Sequence, residues 1–96
     1  MLEAVRLALP VTSHAYDAEI ADLINAALMD LETNGVDAMN MQTDPLIVQA
    51  VKTYCRAHFR SPADYERLAA AYDAQKGHLM HATGYMKRER GNDDTG

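Results

Sequence analysis

The sequence predicts a small all-α protein: a bundle of about four helices, with a short N-terminal helix, two or three long antiparallel helices and a flexible C-terminal tail. Apolar residues recur at helical spacing in long runs, helix start and stop signals separate those runs, and no segment alternates convincingly as a strand would. The 96 residues are enough for one domain. We expect a helical domain over residues 1–81 and a flexible C-terminal segment over residues 82–96.

The composition narrows the function classes. A formal net charge of −5 argues against general nucleic-acid binding, which relies on clustered lysine and arginine. Cys55 is the single cysteine, so no internal disulfide is expected, and this fits a reducing compartment. Glu3 and Arg6 interrupt the apolar start, which argues against a signal peptide, and no stretch reaches the roughly 18 apolar residues of a membrane span. We therefore expect a soluble intracellular protein.

The first predicted helix is short. It covers residues 2–9 and stops at Pro10, which cannot continue a helix without losing a hydrogen bond. A helix of this length is stable only when it is docked on the rest of the protein.

The second predicted helix runs from about residue 15 to residue 33. Its apolar residues fall at i, i+4, i+7, i+8, i+11, i+12 and i+15, which is one continuous helical face. Thr12 or Ser13 can cap its start, and Asn34 with Gly35 ends it, since either residue can take the left-handed conformation. The expected buried face consists of Tyr16, Ile20, Leu23, Ile24, Ala27, Leu28 and Leu31.

Residues 35–43 form a predicted loop that contains two methionines, Met39 and Met41. One interpretation is that both side chains fold back onto the core. The other is a flexible contact surface, because methionine adapts to irregular partners.

The third predicted helix has the strongest start signal. Asp44 caps it, and Pro45 occupies the first helical position, where its missing N–H costs nothing. One face carries Ile47, Val51, Tyr54, Cys55 and His58, and only Gln49, Lys52, Thr53 and Arg56 leave a narrow polar stripe. A helix this apolar lies at the centre of a bundle or against another subunit.

The fourth predicted helix starts at Ser61-Pro62-Ala63-Asp64, with Ser61 as the cap and Pro62 at the first position. Its expected buried face consists of Tyr65, Leu68, Ala69, Tyr72 and Leu79. The helical pattern ends at about Met80, and the charged run Lys87-Arg88-Glu89-Arg90 with the polar residues that follow it predicts a solvated tail.

The sequence offers little support for a catalytic site or a metal site. His78 and His81, like Cys55 and His58, are three residues apart on one helix, but a zinc site needs four converging ligands. Cys55 falls on the apolar face, where burial is more plausible than an activated thiolate. No phosphate-binding loop, nucleophile elbow or metalloprotease motif occurs. We expect no enzyme activity and no cofactor.

DNA recognition remains an alternative, since Arg60-Ser61-Pro62 is near the right length for the turn of a helix-turn-helix. A recognition helix should expose residues that read base edges, whereas the fourth helix exposes mainly acids that would meet phosphate repulsion. A further alternative is a small helical protein–protein interaction module or regulator.

The order of these helix signals resembles the head–tail connector proteins of long-tailed phages, prophages and gene-transfer particles, also called head-completion or DNA-packaging adaptors. The resemblance covers residues 2 to about 85. After the short leading helix it rests on Tyr16-Asp17-Ala18-Glu19-Ile20, Asp44-Pro45-Leu46-Ile47, the run from Ser61 to Tyr72, and Leu79 followed by Tyr85.

The resemblance implies a structural virion protein without a cofactor. Its protomers would form a ring homo-oligomer beneath the portal vertex, extend the DNA channel after packaging and offer the tail or a stopper protein a docking surface. Its partners would be copies of itself, the portal protein and the tail or stopper protein, with DNA only passing through and no membrane. Its location would be the head–tail junction of the virion, and the bacterial host cytoplasm during assembly.

No catalytic residues carry over from the family, so the predicted sites are contact surfaces. Met39 and Met41 are predicted to lie at a subunit interface. The predicted portal-docking segment consists of Tyr85, Met86, Lys87, Arg88 and Arg90.

Overall fold

Four α-helices form the protein in its computed structural model, which describes residues 1–87. Helix α1 spans Leu2–Ala8, α2 spans Asp17–Thr33, α3 spans Pro45–His58 and α4 spans Tyr65–His81, and a 3₁₀ turn at His14–Tyr16 leads into α2. Within residues 1–87 the only strand-like pairing is one isolated bridge. The predicted all-α bundle is therefore confirmed.

Helix α3 is the central element, because it packs against α4 and also against α1 and α2. The hydrophobic core draws on all four helices and on the segments between them. Its buried members are Val5, Leu9, Ile20, Ile24, Ala27, Leu28, Leu31, Val36, Ala38, Ile47, Ala50, Val51, Cys55, Phe59, Tyr72 and Leu79. None of the helices in the described part of the chain is both long and apolar enough to cross a membrane.

Helix α1 is held by an apolar and a polar contact. Val5 is fully buried, while Arg6, only 9% exposed, forms ion pairs with Glu3 and, at 3.7 Å, with Asp17 at the start of α2. Leu7 points the other way and is 75% exposed. These contacts dock the short helix, which could not be stable alone.

The two ends of α2 confirm the sequence signals. Ser13 accepts a hydrogen bond from the backbone N–H of Ala15 at 3.0 Å, although this opens a 3₁₀ turn before the α-helix begins. At the other end Gly35 has φ +90°, and the N–H of Val36 donates to the carbonyl of Leu31. This is a Schellman ending, in which a left-handed residue satisfies the last carbonyls of the helix.

Helix α3 begins as predicted, since Asp44 accepts from the N–H of Leu46 at 2.9 Å and Pro45 is the first helical residue. Two side chains differ from the expectation. Thr53, assigned to the polar stripe, is buried and donates its hydroxyl to the carbonyl of Gln49 at 3.0 Å, so the helix itself satisfies it. His58, placed on the apolar face, is exposed at the last turn.

Helix α4 begins at Tyr65, four residues after the predicted cap. Arg60 and Ser61 both have positive φ, at 62° and 49°, whereas a capping residue normally has extended backbone angles. Ser61 therefore belongs to the chain reversal between α3 and α4, and the carboxylate of Asp64 pairs with Arg67 instead of capping. Tyr65, predicted to be buried, is the first residue of the helix and is 45% exposed.

Candidate assembly surface

The loop after α2 and the segment after α4 lie side by side. The antiparallel bridge joins Val36 to Met86, the N–H of Asp37 donates to the carbonyl of Tyr85 at 2.7 Å, and the N–H of Lys87 donates to the carbonyl of Gly35 at 2.8 Å. We call residues 35–44 together with residues 82–87 the loop–tail surface. Helix α4 ends at His81, but residues 82–87 are hydrogen-bonded to the helical domain, and the proposed division of the chain at this point stays a prediction.

Asp44 anchors the tail half of this surface to α3. Its Oδ1 accepts from the N–H of Leu46 and also from the hydroxyl of Tyr85, both at 2.9 Å. The hydrogen bond to the Asp44 carboxylate raises the pKa of Tyr85, because a phenolate there would lose the donated proton and meet a like charge. The residue that caps α3 thus also fixes the position of the tail.

Glu32 connects both halves of the surface to the last turn of α2. One carboxylate oxygen accepts from the N–H of Met39 at 2.8 Å, and the other lies 3.4 Å from the ammonium nitrogen of Lys87. The side chain of Glu32 is only 18% exposed, so this ion pair is better shielded from solvent than a typical surface pair.

The structure places the two predicted interface methionines in different environments. Met39 is 47% exposed, whereas Met41 packs against the hydrophobic core. The fold-back interpretation therefore holds for the position of Met41, and Met39 alone offers an open apolar side chain. A role for either residue in subunit contacts stays a prediction.

The predicted portal-docking residues also differ in their exposure to solvent. Tyr85 packs against the core, Met86 is 41% exposed, and Lys87 is exposed. Arg88 and Arg90 lie outside the described residues. The structure thus brings Met39 and the segment from Tyr85 to Lys87 onto one surface.

Sequence reasoning missed Glu32 and the second role of Asp44. Glu32 carries no motif, since it is one acid near the end of an amphipathic helix. Asp44 was identified as a helix cap, and nothing in the sequence relates it to Tyr85, which is 41 residues away.

The structure also shows the surroundings of the residues that were considered for catalysis or metal binding. Cys55 is fully buried, and this burial raises its pKa to about 12, so the thiol stays protonated and inaccessible at neutral pH. Within residues 1–87 no three histidine, cysteine, aspartate or glutamate side chains are grouped so that they could hold a metal ion.

The fold defines a class of protein: a small all-α domain of four helices within residues 1–87. A model of the phage connector protein family matches residues 1–86, and the chain belongs to that family. It is therefore a structural connector protein of a phage particle, which confirms the resemblance inferred from the order of its helix signals. No curated protein and no solved structure matches the chain.

Proposed function

We propose that this connector protein forms a ring adaptor that joins the portal vertex of the head to the tail and extends the DNA channel after packaging. Its partners are identical copies, the portal protein and the tail or stopper protein. The observation that carries the proposal is the family match over residues 1–86, which includes every helix and nearly the whole loop–tail surface.

The loop–tail surface supports a role in contacts between proteins. Met39 and Met86 expose 47% and 41% of their surface, although the backbone that carries them is held by hydrogen bonds. Flexible thioether side chains can fit an irregular neighbour, and because their backbone is already fixed, only the side chains lose conformational entropy on binding. We assign these two methionines to a contact with the adjacent copy or with the next ring.

The basic segment that follows is suited to the portal. Lys87 leaves the helical domain at a fixed point, and Arg88 and Arg90 follow it directly. Within residues 87–90 three cations outnumber the one acid, Glu89, so this stretch is positive in a chain whose net charge is −5, and Asp93 and Asp94 follow it. Such a segment would recognise an acidic portal surface through charge-assisted hydrogen bonds.

The experiment that tests the proposal is the solution mass of the purified chain by light scattering, alone and after mixing with the portal ring encoded nearby. A discrete ring, or a stoichiometric gain in mass on the portal, is the expected result. A chain that stays monomeric and ignores the portal would contradict the proposal.

A matched pair of variants tests the loop–tail surface. Met39→Asp should block ring growth while the monomer keeps its thermal stability, since Met39 is exposed. Met29→Asp is the control, because Met29 is 59% exposed on α2 and receives the same charge elsewhere. Met41 is unsuitable for this test, since an aspartate there would be placed against the core. Normal rings from Met39→Asp would remove the loop from the interface.

A truncation tests portal docking. Ending the chain at Lys87 keeps the contacts of Tyr85, Met86 and Lys87 but removes Arg88 and Arg90. The truncated chain should retain its melting temperature and lose portal attachment. Undiminished binding to the portal would show that residues 88–96 are not the docking segment.

A further inference from the structure

An aromatic groove lies between the end of α3 and the start of α4, on a different part of the molecule from the loop–tail surface. Its wall consists of Tyr54, His58, Tyr65 and Tyr72, and it encloses about 330 Å³. Ring centroids are 4.3 Å apart between Tyr54 and His58, 5.7 Å between His58 and Tyr65, and 5.2 Å between Tyr54 and Tyr72. These aromatic rings form one nearly continuous wall, in which His58 and Tyr65 are exposed, Tyr54 is half-buried and Tyr72 is buried.

The groove carries a negative charge that is not neutralised within the described chain. Asp30 is paired with Lys76 at 2.9 Å, so these two charges cancel. Asp73 also lines the groove, is exposed, and has no ion-pair partner among residues 1–87. Aromatic faces next to a carboxylate form an environment that attracts a cation, above all a guanidinium group.

Two cations of the same molecule form no ion pair with any other residue among 1–87. Lys52 and Arg56 are the only lysine and arginine side chains within residues 1–87 that form no ion pair there, although the other five do. They are four residues apart on α3, so they lie on one face, and Arg56 is exposed.

The unpaired cations and the groove lie on opposite sides of α3. Tyr54 is two residues from both Lys52 and Arg56, and two residues of an α-helix correspond to a rotation of about 200°. His58 is likewise two residues beyond Arg56. A cation on one side therefore cannot reach the groove of its own chain, and Arg56 is open to solvent and to other molecules.

We propose that the Lys52–Arg56 face of one copy docks against the aromatic groove of the next copy, with the guanidinium of Arg56 on the tyrosine rings beside Asp73. This inference rests on the proposed ring, for which it names the contact between adjacent subunits. Because the two complementary surfaces lie on opposite sides of one helix, the contact is head-to-tail, and such contacts generate rings when the rotation closes.

A second copy fits these observations better than DNA does. A phosphate backbone would satisfy Lys52 and Arg56 but would leave the acidic groove on the other side of α3 without a partner. A copy of the same chain satisfies both surfaces at once and adds cation–π contacts to the ion pair.

The test compares two arginines in the full chain by light scattering over a concentration series, alone and on the portal ring. Arg56→Gln should weaken self-association by about tenfold or more, the size expected for one desolvated cation–π and ion-pair contact. Arg67→Gln is the matched control, since Arg67 is exposed and already paired with Asp64 of its own chain. Arg67→Gln should assemble as the unmodified chain does.

Charge exchange makes the test specific. Arg56→Glu and Asp73→Arg should each abolish assembly, and one chain that carries both changes should regain it. Tyr65→Ser, at an exposed ring, should weaken assembly without lowering the melting temperature.

Assembly of Arg56→Glu at wild-type affinity would overturn the inference while leaving the ring itself established. The inference is likewise overturned if Arg56→Glu reduces only salt-dependent DNA binding and leaves self-association unchanged. An unmodified chain that forms no ring under any condition would overturn the proposed function as well.

Discussion

Tyr72 of α4 donates its hydroxyl to the carboxylate of Asp30 of α2 across 2.6 Å, and this hydrogen bond joins two helices that pack mainly on α3. The same carboxylate oxygen accepts from Lys76 at 2.9 Å. Burial opposes the ionisation of Asp30, but the hydrogen bonds from Tyr72 and Lys76 outweigh it and hold the pKa of Asp30 below its usual range. Burial raises the pKa of Tyr72, and the hydrogen bond to Asp30 raises it further as the second-largest cause.

Removing the Tyr72 hydroxyl should therefore destabilise the fold. Tyr72→Phe keeps the buried ring and should lower the free energy of unfolding by about 1–2 kcal/mol, since the bond is made to a charged acceptor. Tyr65→Phe is the control, because the hydroxyl of Tyr65 has no hydrogen-bond partner within residues 1–87. Urea denaturation of both variants measures the difference, and equal midpoints would contradict the prediction.

Acid should weaken the protein through Asp30. Because the folded-state pKa of Asp30 lies below its usual value of 3.8, the unfolded chain takes up the proton first as the pH falls. The stability that Asp30 contributes is present above about pH 4 and is lost as the pH falls through the folded-state pKa. Melting temperatures between pH 6 and pH 2.5 should fall less steeply for Asp30→Asn than for the unmodified chain, and parallel curves would rule out this contribution.

Alkali should weaken the protein through Cys55. Burial raises its pKa from 9.0 to about 12, so between these two pH values the unfolded thiol ionises while the folded thiol does not. The stability is complete below about pH 9 and falls as the pH rises towards 12. Cys55→Ala should have a flatter pH dependence in this range, even though the small cavity lowers its overall stability. An unchanged slope would show that Cys55 is not responsible.

Asp44 and Tyr85 should behave as a coupled pair. Tyr85→Phe should lower the free energy of unfolding, and Asp44→Ala should lower it by about 1–2 kcal/mol more, because it removes both the helix cap and the acceptor. In the Asp44→Ala background, Tyr85→Phe should cost nothing further. Additive losses across the four proteins of this double-mutant cycle would show that the two side chains do not interact.

Two glycines should respond to alanine with opposite signs. Gly35 has φ +90°, and a Cβ there would lie 2.8 Å from the methyl carbon of Met86, so Gly35→Ala should destabilise the fold by about 1 kcal/mol or more. Gly77 lies inside α4 with open space around it, and Gly77→Ala should stabilise the fold by about 0.5–1 kcal/mol. Thermal melts of both variants check the signs.

Local signals determined much of the fold. The left-handed Gly35 and the Asp44-Pro45 pair act within a few residues of themselves, so the end of α2 and the start of α3 could be predicted from the sequence. The start of α4 could not be predicted in this way. Ser61-Pro62 matches the sequence pattern of a helix cap, but the same two residues also suit a tight reversal, which is where the structure places them. Which conformation they adopt depends on how α4 packs against α3.

The candidate surfaces were likewise determined partly by the sequence and partly by the tertiary structure. The sequence by itself determined the helix periods, the absence of a recognisable catalytic motif, the order of signals shared with phage connectors, and the residues on the C-terminal segment. Only the tertiary structure decided that Glu32, Asp44 and Tyr85 meet, that Met41 turns inward while Met39 stays exposed, and that four rings from two helices form one groove. These contacts join residues far apart in the chain, and their energies depend on distance, burial and geometry, which local sequence patterns do not encode.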